Sequence, residues 1–162
     1  MQYISVEHQR AIDERVKTTS IIVLAFCVSV GAIALAGYLM KPPEMGFFGG
    51  PLLDNTILAP FIIVLSMGVI ILRRVWMWAL VMKSATQAGV PATLNRLMQM
   101  SLVCAALSEA VAIFGLMSYM STGNYRYSLI LCLVSLLLLL YTAFPRRREW
   151  IRAVTEAANA RG

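Results

Sequence analysis

Residues 18–40 read TTSIIVLAFCVSVGAIALAGYLM, 23 positions without one charged side chain. A helix needs about 20 such residues to cross the hydrocarbon core of a bilayer, so this stretch is long enough to span alone. Three more stretches are long and apolar enough to span, 55–75, 97–120 and 127–144, the second and fourth spans being at the short end. The predicted fold is therefore all-α, a polytopic membrane protein of four transmembrane helices paired as two helical hairpins. A polar helical lead (1–17) precedes the four-helix domain (18–144), and a basic tail (145–162) follows it.

Composition agrees with the spans. The chain is 59% hydrophobic and 14% charged, with a mean hydropathy of +0.74; soluble domains run at roughly 45–50% and about 25%. A soluble fold of this composition would display an apolar surface that soluble monomers rarely carry. The first span is expected to be retained rather than cleaved. Its lead carries Glu7, Asp13 and Glu14, and its apolar run exceeds the core of a signal peptide.

Charge placement sets the orientation. Arg10, Arg15 and Lys17 precede the first span, and Arg73, Arg74, Lys83 and Arg96 separate the second from the third. Arg146, Arg147, Arg148, Arg152 and Arg161 follow the fourth. Threading four spans puts all of these on one side and leaves Lys41 and Arg126 on the other. By the positive-inside rule that side is cytoplasmic. The expectation is a protein of the cell (inner) membrane with N and C termini cytoplasmic. Trp76, Trp78 and Trp150, with Arg73, Arg74, Arg146, Arg147 and Arg148, are expected to anchor it at the headgroup level. The net charge of +6 is thus a topology signal, and nucleic acid is not an expected partner.

The spans contain one acid, Glu109, 13 residues beyond Arg96. At 1.5 Å per residue that is about 20 Å along the axis, near the bilayer midplane. An ionised side chain there costs about 2.5–3.5 kcal/mol on insertion scales, so such residues are rare and mostly functional. Small residues surround it. Ala105 and Ala112 flank Glu109 on the same face of the third span, with Gly115 nearby, and Cys27, Gly31 and Ala34 offer a matching small face on the first. Small side chains let helices approach closely, which predicts a tight first–third seam with Glu109 and Ser108 in it. Three roles stay open: a carboxyl that glues helices together, one that binds and releases a proton or cation, or the counter-charge to a partner's group.

The stretch Leu107-Ser108-Glu109-Ala110-Val111-Ala112-Ile113-Phe114-Gly115-Leu116-Met117 resembles the carboxylate helix of the proteolipid (c-type) subunit of rotary ATP synthases. The resemblance implies that Glu109 is an ion-binding carboxylate. It covers about a dozen residues. The preceding Gln87-Ala88-Gly89-Val90-Pro91 departs from that family's polar loop, and the acid sits on the third span rather than the last.

No enzyme site is expected. His8, the only histidine, lies in the polar lead, so no Ser-His or Cys-His pair can be built at membrane depth. Cys27, Cys104 and Cys132 fall in apolar runs with no histidine nearby and read as small hydrophobes, so neither metal nor cofactor is expected. The function this sequence suggests is a small accessory or structural subunit of a membrane assembly, bound to lipid and to other subunits or to itself. A proteolipid-like ion-binding subunit is the alternative.

Overall fold

The computed structural model describes residues 6–40 and 55–159, with side-chain surroundings for 6–40, 62–79, 89–120 and 123–158. The outer loop between the first two spans, with Lys41, and the last three residues lie outside the described residues.

The described chain is helical almost throughout. Helix α1 (Val6–Leu39) is about 51 Å long at 1.5 Å per residue, more than the roughly 30 Å hydrocarbon core requires. The polar lead and the first span are therefore one rod. Helix α2 (Asn55–Trp76) continues through a π-helical stretch (Met77–Met82) into α3 (Lys83–Thr122). Gly89 interrupts α3 with φ 78° and ψ 178°, a backbone state that glycine adopts without steric cost. Pro91 follows in the next turn, where its missing N–H costs little. Gly123, at φ 69°, ends α3, and its N–H bonds back to the Tyr119 carbonyl at 2.7 Å. Asn124 then caps α4 (Tyr125–Leu138), its side chain accepting from the Arg126 N–H at 3.1 Å. A π-turn (Leu139–Ala143) closes α4, and α5 (Arg147–Asn159) follows.

Four of these helical runs are long and apolar enough to cross a membrane. Large apolar side chains stand on their outer surfaces, among them Ile21, Leu24 and Val28 on α1, Ile63, Val64 and Met67 on α2, and Leu133 and Leu137 on α4. Such a surface suits lipid contact. The chain has the build of an integral membrane protein.

The centre of the bundle is the antiparallel α3–α4 hairpin, which makes the most extensive contact in the molecule. Its seam is lined by small and hydroxylated residues in heptad register. Ser101, Ser108 and Gly115 on α3 are buried, as are Ser128, Ser135 and Thr142 on α4. The Ser135 hydroxyl donates to the Ser108 carbonyl at 2.6 Å. A Cβ at Gly115 would lie 2.8 Å from Leu131 Cβ and 3.3 Å from the Ser128 carbonyl oxygen. Helices meet this closely where small side chains let the backbones approach.

The expected first–third seam is present but is not the tightest one. Helix α1 packs on α3 and α4, and α2 packs on the same pair; among the described residues α1 and α2 do not touch. Helix α1 comes close to α4 at Gly37, where a Cβ would sit 3.0 Å from the Tyr125 ring. The Tyr125 hydroxyl donates to the Ala34 carbonyl at 2.6 Å. Gly31 faces open space, and Gly115 faces α4.

At the opposite end, α5 is folded against α3 and α1 of the bundle. Trp150, expected as an interfacial anchor, is 2% exposed and shares one core with Ile12 of α1 and Val90, Leu94 and Leu97 of α3. The reason is amphipathicity. Trp150, Ala153, Val154 and Ala157 recur at three- and four-residue spacing and form one apolar stripe. Two ion pairs hold the helix down: Arg147–Asp13 at 2.9 Å to α1, and Arg73–Glu149 at 2.8 Å to α2. The hydrogen bond from Arg147 holds the exposed Asp13 carboxyl below its ordinary pKa.

Two substitutions check this packing. Gly115→Ala is expected to lower the melting temperature in detergent, despite alanine's better helix propensity, because Leu131 Cβ and the Ser128 backbone cannot both retreat. Gly31→Ala should leave the melting temperature unchanged or raise it slightly. Trp150→Ala should cost roughly 3–5 kcal/mol, the usual range for emptying a buried aromatic site, and should expose the α5 segment to limited proteolysis.

Candidate functional site

Glu109 stands midway along the membrane-crossing part of α3, 13 residues from Arg96 and 13 from the helix end at Thr122. It is half-buried, on the side of α3 that meets α1. There Ser29 of α1 donates its hydroxyl hydrogen to the Glu109 carboxyl oxygen Oε1. Ser29 itself is half-buried, so the pair sits in the seam between the two helices without being sealed inside it.

The sequence expectation placed Ser108 with Glu109. Successive helix residues point about 100° apart, and here the difference separates two functions. Ser108 is fully buried toward α4, with its hydroxyl bonded to the Cys104 carbonyl at 2.7 Å and its carbonyl accepting from Ser135. Ser29 takes the place that Ser108 was expected to hold. The sequence carried a faint signal for it, since Ser29 is the one hydroxyl in the run from Ile21 to Gly37.

The small residues divide in the same way. Ala105 and Ala112 are fully buried. Cys27 and Ala34 are half-buried against the main core, and Ala34 contributes its backbone carbonyl to Tyr125. Cys27, Cys104 and Cys132 are all free thiols. Gly31 has open space where a side chain would stand, and Gly115 belongs to the α3–α4 seam.

The expected anchors also separate. Trp78 is 80% exposed, as an indole at the headgroup level should be, whereas Trp76 leans on the core. Arg73 does not extend outward. Its side chain is 13% exposed and turned to Glu149 and to the Tyr141 carbonyl, at 2.8 and 3.3 Å. Arg74, Arg146, Arg147 and Arg148 are exposed; Arg146 stacks 5.2 Å from the Tyr141 ring centroid and Arg147 reaches Asp13. Comparison with known protein families, with curated proteins and with solved structures finds no match for the chain.

The Ser29–Glu109 pair links α1 to α3 by a polar contact in an apolar medium. Interhelical hydrogen bonds of this kind contribute about 0.6 kcal/mol on average and up to about 1.7. A double-mutant cycle of Ser29→Ala and Glu109→Ala, read as unfolding free energy in detergent, is expected to give a coupling within that range. Strict additivity of the two single effects would show that the contact carries no energy.

Proposed function

We propose that this chain is a non-enzymatic subunit of a larger membrane assembly, and that a membrane helix of a partner subunit covers the seam between α1 and α3. The observation that carries this reading is the half-buried state of Glu109 at mid-span. Ionisable groups at that depth almost always face a protein interior or a water-filled cavity. Ser29 satisfies one carboxyl oxygen, and the remaining polar surface of Glu109 calls for cover beyond what the described residues supply. The broad exposed apolar flanks of α1 and α2 leave room for such a neighbour. The protein would lie in the cell (inner) membrane, with the end that carries α5 and most of the arginines facing the cytoplasm.

The partial exposure of Glu109 also favours a second reading, in which its carboxyl binds and releases a proton or cation in the manner of the proteolipid subunits its helix resembles. A single substitution separates the two. Glu109→Gln keeps size and hydrogen-bonding capacity and loses the ionisable proton. In the packing role, the variant should co-purify with the same partners, and at the same native mass after mild extraction, as the natural chain. In the ion-binding role, it should assemble normally yet abolish the assembly's proton or cation flux in proteoliposomes. A native chain that is monomeric after mild extraction, with nothing co-purifying, would count against the subunit reading altogether.

A further inference from the structure

A cavity of about 450 Å³ opens at the end of the bundle where α2, the π-turn after α4 and α5 converge. Arg73, Arg74 and Arg152 line it against one carboxylate, Glu149. That carboxylate is already engaged, by Arg73 at 2.8 Å and Arg146 at 3.5 Å. Among the described residues Arg152 has one exposed ion pair, to Glu156 at 3.2 Å, and Arg74 makes none. Arg73 is largely removed from solvent, yet its Nε–H is buried without an acceptor. A buried donor left unpaired is costly, and guanidinium groups favour the oxygens of carboxylates and phosphates.

We propose that this cavity binds the phosphate-bearing headgroup of an anionic phospholipid. The shared chemistry is that of any phosphate, but three features select a lipid. The cavity lies at the level of Trp78, which is 80% exposed, where indoles meet the headgroup layer. The rest of its wall is largely apolar, formed by Ile70, Met77, Trp78 and Tyr141. Ile70 stands one turn deeper than Arg73 and Arg74, and exposed Met67 and Ile71 extend the same apolar surface down the span, giving an acyl chain a track below the headgroup. The volume falls in the usual range of small-molecule sites, about 300–1,000 Å³.

The site is separate from Glu109, and its test does not depend on the subunit reading. The full chain is extracted in mild detergent and delipidated. Its melting temperature is then followed while phosphatidylglycerol, phosphatidylcholine or inorganic phosphate is added. Phosphatidylglycerol is expected to stabilise it at low concentration, and the other two should not. The double variant Arg74→Gln, Arg152→Gln should shift the phosphatidylglycerol midpoint about thirtyfold upward, from about tenfold per 1.4 kcal/mol and about 1 kcal/mol per basic residue at an anionic surface. Both side chains are exposed, so the lipid-free melting temperature should hold. A charge-matched control, Arg10→Gln with Arg148→Gln at the same end, should leave the midpoint in place. The proposal is overturned if the control shifts as far as the cavity variant, if phosphatidylcholine stabilises equally, or if inorganic phosphate alone reproduces the effect, which would make free phosphate the ligand.

Discussion

The close approach of α3 and α4 is the constraint on which the other helices depend. In lipid there is no hydrophobic gain from bringing apolar helices together, because acyl chains solvate them equally well. Association rests on packing and on hydrogen bonds. The seam from Ser101 to Gly115, set against Ser128 to Thr142, supplies both. Gly115 removes the side chain where Leu131 presses closest, and Ser135 bonds to the Ser108 carbonyl. Helices α1 and α2 then attach to this pair from separate positions, without contact between them among the described residues.

A second physical regime operates at the end that carries α5. There the medium is not uniformly apolar, and ordinary hydrophobic burial returns. Trp150, Ala153, Val154 and Ala157 leave the aqueous phase against Ile12, Val90 and Leu94. This accounts for helical structure in α1 and α3 beyond their expected membrane spans: both rods run on because their extensions share a core with α5. The exposed Arg147–Asp13 pair adds orientation more than energy, since surface ion pairs are worth little. Arg73–Glu149 differs, being partly desolvated and joined to the Tyr141 carbonyl as well, and it ties α5 to the end of α2 beside the basic cavity.

Glu109 belongs to the apolar regime, which gives its placement weight. The same helix presents Ser108 to α4 and Glu109 to α1, so one residue of rotation separates a sealed packing contact from a polar group in a partly open seam. Were the two exchanged, the acid would sit in the closest-packed part of the molecule, where no room exists for its partners. As built, the carboxyl has a hydroxyl from Ser29 and a face toward the surroundings of the bundle.

How much of this was legible follows from the range of each interaction. Solvent, span number and the one-sided distribution of basic residues depend on composition and length, which are local properties, and the sequence by itself determined them. Glu109 was legible for the same reason, as one acid in apolar surroundings. The heptad repeats of Ser101, Ser108 and Gly115, and of Ser128, Ser135 and Thr142, were also present in the sequence as the trace of the central seam. Only the tertiary structure decided which small faces meet, because every face of a membrane helix is apolar and hydropathy cannot distinguish a neighbour helix from lipid. It likewise decided that Trp150 is core rather than anchor and that Arg73 turns inward. A tryptophan or arginine near the end of a span satisfies the interface rule equally well in either position, and the choice rests on whether another helix arrives to cover it.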